Sequence, residues 1–99
     1  MSRLAELNKL EDYLKEHGIE YERIDSEDTD YSIGRHQISV PNHAKKKWDA
    51  ICQYGSYGYE EGLLEIYGSL VDRAKYGDTD SVSGWLTAKD VIERIEATE

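Results

Sequence analysis

The sequence has no phenylalanine, one cysteine, one proline and one methionine among its 99 residues. Without Phe, aromatic core area has to come from eight tyrosines and from Trp48 and Trp85, and each tyrosine must keep its hydroxyl near water or a partner. The lone Cys52 excludes an intramolecular disulfide framework. No apolar run approaches the ~20 residues a membrane-spanning helix needs. The first residues lack the basic-then-apolar pattern of a secretory signal, so the cytoplasm is the expected location. Neither Cys-x-x-Cys nor His-x-x-x-His spacing occurs among His17, His36, His43 and Cys52, so a zinc site is not expected. The acidic stretch around Glu27, Asp28 and Asp30 lacks the glycine and terminal glutamate of a calcium loop. No cofactor of any kind is expected.

Positive charge is scarce too. Twelve Lys and Arg stand against twenty-one Asp and Glu, a formal charge of −9, which disfavours nonspecific attraction to nucleic acid or anionic lipid. The charge is layered: residues 1–34 and 54–99 each carry four basic and ten acidic groups, and residues 35–53 carry four basic and one acidic. The basic centre rests on Arg35 and the run Lys45, Lys46, Lys47. Such a run is ordinarily a solvated loop. Its alternatives here are a local anion contact or a homodimer in which those lysines meet the acidic segments of a second copy.

Ninety-nine residues suffice for one domain that buries roughly 65% of the surface of its unfolded chain. Leu4, Leu7, Leu10 and Leu14 fall on one helical face, with Ser2 as N-cap and Gly18 followed by Ile19 as a Schellman ending. "IEYERID" (19–25) reads as a strand, and "SEDTDYSIG" (26–34) as a polar loop. "RHQISVP" (35–41) alternates cleanly, His36, Ile38 and Val40 on one face, and Pro41 ends it. "KWDAICQ" (47–53) follows as a third strand with Trp48, Ala50 and Cys52 on one face, close enough to form an antiparallel hairpin with the second.

Leu63, Leu64, Ile66, Tyr67, Leu70 and Val71 fit one broad helical face, which predicts a second helix. "AKYGDTDSVSG" (74–84) reads as a polar loop. Thr87 with Asp90, and Leu86 with Val91, predict the start of a third helix whose Val91, Ile92 and Ile95 face the core. The expected order is α-β-β-β-α-α: a single α+β domain over residues 1–99, with a three-stranded antiparallel sheet and helices packed on one face. That order contains the α-β-β-β-α succession of the double-stranded-RNA-binding domain, but Glu60 and Glu61 stand where such a domain needs basic residues. Direct nucleic-acid binding is therefore not expected.

"CQYGSYGYEEGLLEIYG" (52–68) poses the functional question. A glycine loop entering a helix can cradle phosphate, but here two carboxylates would occupy the favourable field at the helix start, and no P-loop Gly-Lys-Ser/Thr follows. A tight turn explains Gly55 and Gly58. It leaves Tyr54, Tyr57 and Tyr59 as more aromatic surface than a turn needs, and tyrosine is enriched at protein interfaces. For catalysis, His36, Cys52 and Asp49 are the residues a small enzyme would assemble as base, nucleophile and orienting acid. On the expected register His36 and Cys52 face the core and Asp49 faces away, which argues against that assembly.

"WDAICQYGSYGYEEGLLEIYG", followed by "SVSGWLTAKDVIERI", resembles a group of small uncharacterised acidic proteins of phages and other mobile elements of gut-type Gram-positive bacteria. The resemblance runs along most of the chain. It implies a cytoplasmic accessory protein with no catalytic residue to carry over, in a setting where small acidic proteins bind or block host proteins. The expected function is non-enzymatic binding of a host or phage protein, as a nucleic-acid mimic in a basic groove or as an inhibitor. The expected binding residues are Tyr54, Tyr57, Tyr59, Glu60 and Glu61, with the acidic segments of Glu27, Asp28, Asp30 and of Asp78, Asp80.

Overall fold

The computed structural model describes residues 3–27 and 34–98. Helix α1 (Ala5–Glu16) buries Leu7, Leu10 and Leu14 along one stripe. It begins with Leu4 in the capping position, later than Ser2, which lies outside the described residues. Its end is as predicted: the Ile19 amide donates to the Leu14 carbonyl at 2.9 Å and the Gly18 amide to that of Lys15 at 3.2 Å, the bond pair of a Schellman motif.

Five strands follow, β1 (Glu22–Ser26), β2 (Arg35–Val40), β3 (Trp48–Ile51), β4 (Leu64–Gly68) and β5 (Val82–Leu86). They lie side by side in chain order and every neighbouring pair is antiparallel. A four-residue helix α2 (Arg73–Tyr76) sits between β4 and β5, and α3 (Ala88–Glu96) closes the order. Ile38, Val40, Trp48, Ala50, Leu64 and Ile66 from the sheet, with Cys52 just past β3, meet Leu7, Leu10, Leu14, Ala88, Val91 and Ile95 from the helices in one core. The ends of the fold are joined by a specific bond. Glu6 on α1 accepts the Ala88 amide at 2.8 Å, and that bond holds the Glu6 carboxyl below its ordinary range.

This α+β sheet has five strands, not three, and the order α-β-β-β-α-α does not hold. Residues 63–71, expected to be helical, contain β4: Leu64 and Ile66 are fully buried while Tyr67 between β3 and β5 is half exposed. That is a period of two, and the strand's backbone is paired on both sides. The segment expected as a polar loop over 74–84 holds most of α2 and the start of β5. With those corrections the resemblance in element order to a double-stranded-RNA-binding domain disappears.

The capping box of α3 is present in full. The Asp90 amide donates to Thr87 Oγ1 at 3.2 Å and the Thr87 amide to Asp90 Oδ2 at 2.9 Å. The β2–β3 hairpin also has the expected faces, Ile38 opposite Ala50 and Val40 opposite Trp48 on the helix side. On the other side Gln37, Ser39 and Asp49 are buried despite being polar. Gln37 Nε2 and Lys46 Nζ each donate to Asp49 Oδ2 at 2.8 Å, so the 41–47 connection folds back over the strands that it joins.

Candidate functional site

The glycine-tyrosine segment leaves β3, crosses a single 3-10 turn (Tyr59–Glu61) and enters β4. Its backbone is held mostly by itself. The Ser56 amide donates to the Gln53 carbonyl, Tyr59 to that of Ser56, and Glu61 and Leu63 to that of Gly58. Tyr57 is fixed at both backbone groups: its amide donates to Glu65 Oε1 at 2.9 Å, and its carbonyl accepts from the Trp85 amide at 3.3 Å.

β5 is irregular where it meets this loop. Leu64 pairs with Leu86 and Ile66 with Ser83, so Gly84 and Trp85 together stand opposite Glu65. Such a bulge adds one residue to a strand and re-aims a side chain. Trp85 takes up the irregularity at φ +56, alone among the described non-glycine residues in having positive φ. For a bulky side chain this conformation costs roughly 1–2 kcal/mol. Two close approaches hold it. A Cβ on Gly84 would run into the Cβ of Tyr57, and one on Gly58 would lie 3.1 Å from the Trp85 Cα.

The product is an aromatic ridge. The Tyr57 and Trp85 rings stack with centroids 5.0 Å apart and planes 14° from parallel. Trp85 is 57% exposed and Tyr57 45%. The ridge divides two shallow grooves, one of about 460 Å³ bordered by Tyr54, Glu60 and Glu61, the other of about 390 Å³ bordered by Asp80.

The expected binding residues divide accordingly. Tyr54, 66% exposed, and Tyr57 belong to the surface. Glu60 and Glu61 are exposed on its flank, and Asp80 is exposed on the other. Tyr59 is half-buried under Arg3, whose guanidinium lies 4.6 Å from the ring centroid and whose Nη1 donates to the hydroxyl at 3.2 Å. Asp78 is a correction: it is buried against Arg94 and is not a surface carboxylate. Glu27 is exposed at the far edge of the sheet, just past β1, whereas Asp28 and Asp30 lie outside the described residues. Trp85 was not among the expected residues. Its signal was a tryptophan directly after glycine at the end of a polar stretch, ahead of a helix cap.

The glycine loop does not enter the expected α-helix: a 3-10 turn and then β4 follow it. Glu60 and Glu61 stand in a three-residue turn that leads into a strand, so the loop opens no long helix of its own. The amides of Ser56, Tyr57, Tyr59 and Glu61 already donate within the chain, so these four are taken before an anion could use them.

The enzyme assembly does not form. His36 Nδ1 is 2.8 Å from Asp25 Oδ1, Asp49 lies on the opposite sheet face in the Gln37–Lys46 cluster, and Cys52 is fully buried with Sγ 3.5 Å from the Arg3 carbonyl. Burial pushes the Cys52 thiol above its ordinary value, which suppresses the thiolate. Another hydroxyl does meet an imidazole: Ser39 Oγ is 2.7 Å from His43 Nδ1, with Glu22 Oε1 4.0 Å from His43 Nε2. Ser39 has no exposed surface, so no substrate reaches it in this conformation.

Among the described residues no group of His, Cys, Asp and Glu is placed to hold a metal ion, and no helix is long and apolar enough to cross a membrane. Comparison of the chain with protein-family models, curated proteins and solved structures gives no match.

Proposed function

We propose that this protein is a binding module whose Tyr54–Tyr57–Trp85 surface seats a segment of another protein. The observation that carries the reading is the left-handed Trp85 in its bulge. A strained backbone that exposes a large aromatic stacked on a second one is an arrangement for contact, because burial inside the fold would not require it. Tyr and Trp dominate the few residues that carry most of the free energy at protein interfaces. The partner is a host or phage protein met in the cytoplasm, and the chain is an accessory protein of a phage or mobile element. With a formal charge of −9, competition with nucleic acid for a basic groove is the mode of action that the electrostatics favour.

The test is affinity capture from a host lysate with wild type, Trp85→Ala and Tyr57→Ala, followed by calorimetry on the captured protein. Loss of either ring weakens binding by about 2 kcal/mol or more, well over tenfold in affinity. A partner retained at undiminished affinity by Trp85→Ala would refute this role for the surface.

A further inference from the structure

We infer that the Tyr57–Trp85 ridge takes an arginine side chain from the partner protein. This rests on the ridge being the contact surface, and it specifies the chemistry that the ridge selects.

Charge comes first. Among the described residues neither groove beside the ridge is lined by Lys, Arg or His, while Glu60 and Glu61 border one and Asp80 the other. A partner that lays a cation across the ridge meets carboxylates on both sides, and an anionic partner is repelled from both. The second argument is the aromatic surface. An indole face is the strongest of the natural rings in attracting a cation, and arginine is the cation most often found there. Its planar guanidinium stacks on the ring while its fork still donates to a carboxylate in parallel bonds.

The chain uses the same recognition internally. The Arg94 guanidinium lies 4.1 Å from the Tyr76 ring centroid while both of its terminal nitrogens donate to Asp78. Arg3 covers Tyr59 next to Glu60 and Glu61. The ridge presents the same two elements, ring face and carboxylate, on the outside of the molecule. A nucleic-acid strand could also stack its bases on these rings, but its phosphates would lie among the same carboxylates.

The test uses the intact chain and its two indole N–H resonances. Trp48 is 7% exposed and Trp85 57%, and Trp85→Phe assigns them. The probes are a Gly-Ser-Arg-Gly-Ser peptide, the same peptide with neutral citrulline in place of arginine, and an oligothymidylate. The arginine peptide should shift the Trp85 signal saturably and leave Trp48 in place, with the citrulline peptide about tenfold weaker or more. Glu60→Gln with Glu61→Gln, and separately Asp80→Asn, should weaken the arginine peptide about threefold. Raising salt from about 50 to about 500 mM should weaken it further.

Equal binding of the citrulline peptide overturns the inference, as does no Trp85 shift up to about 10 mM arginine peptide. An oligothymidylate that shifts Trp85 at lower concentration than the arginine peptide overturns it too. The two readings fail separately. Partner capture that depends on Trp85 while the arginine peptide does not bind keeps the contact surface and removes the arginine. Peptide binding combined with capture indifferent to Trp85→Ala removes the contact surface and leaves the ridge's preference for arginine.

Discussion

Arg94 and Asp78 face each other as a two-pronged ion pair, Nη1 to Oδ2 at 3.0 Å and Nη2 to Oδ1 at 3.3 Å, with both side chains almost wholly withdrawn from water. Arg94 also donates to the Leu70 carbonyl at 2.9 Å and to Ser83 Oγ at 3.2 Å, and Asp78 accepts the Asp72 amide at 2.8 Å. One guanidinium thus ties α3 to the chain on both sides of α2 and to β5. Removing either member strands a buried charge, at a cost of about 3–5 kcal/mol. Arg94→Met and Asp78→Asn should each lower the urea midpoint accordingly, and a change under about 1 kcal/mol in both would mean that the pair does not close in solution.

The same pair sets an acid limit on stability. Burial pushes the Asp78 carboxyl up, but hydrogen bonds from Arg94, the Asp72 amide and Ser83 outweigh it, and the net position is below the ordinary 3.8. A carboxyl lowered by folding contributes fully above its unfolded value, and the contribution is lost as pH falls through the folded one. Asp25 and Glu6 are lowered as well. Wild type should therefore lose stability steeply below about pH 4, and Asp78→Asn, already weaker at neutral pH, should fall more gently there. Urea titrations across that window decide it; parallel curves for the two proteins would contradict the assignment.

Trp85 permits a test that separates backbone strain from contact. Glycine removes the left-handed cost of roughly 1–2 kcal/mol, whereas alanine keeps it; both lose an aromatic pairing of about 0.5–1.5 kcal/mol. Trp85→Gly should be more stable than Trp85→Ala by about 1 kcal/mol, and both should fail to hold the partner. An alanine variant more stable than the glycine variant would show that the bulge relaxes in solution.

A methyl group at residue 84 should act on the ridge from below. Gly84→Ala places it against the Tyr57 Cβ, and overpacking of this kind costs about 1–3 kcal/mol. The rings should part, which Trp85 fluorescence reports. An unchanged emission spectrum together with unchanged stability would show that the close approach is not maintained.

Cys52 should be silent until the protein opens. It is fully buried, and burial raises its thiol, so an aromatic disulfide reagent should label it in denaturant and about a hundredfold more slowly, or less, in native buffer. Rapid native labelling would contradict the packing around β3.

The parts of this fold legible in the sequence are those where local chemistry is self-consistent. Gly18 and Ile19 mark the end of α1, Thr87 and Asp90 the start of α3, and the alternation from His36 to Val40 marks a strand. β4 escaped because its apolar residues run on into the turns at both ends. Leu63, Leu70 and Val71 lie outside the strand, yet they complete a helical pattern that the paired residues Leu64–Gly68 do not have. β5 escaped because its bulge interrupts the alternation at Gly84 and Trp85. The same irregularity hid Trp85 as a site residue, while the tyrosines beside it were recognisable from their number alone. Asp78 looked like part of an acidic surface because its partner, Arg94, is sixteen residues away along the chain.

The strands lie side by side in the order in which the chain visits them, but the interior is sealed by the first helix and the last. The Ala88 amide reaches Glu6 across 82 positions, and Val91 and Ile95 fill the space beside Leu7 and Leu10. A chain cut after β5 would therefore keep every strand pairing yet lack the apolar cover that α3 lays over the core. Such a truncated product should expose that apolar flank and aggregate.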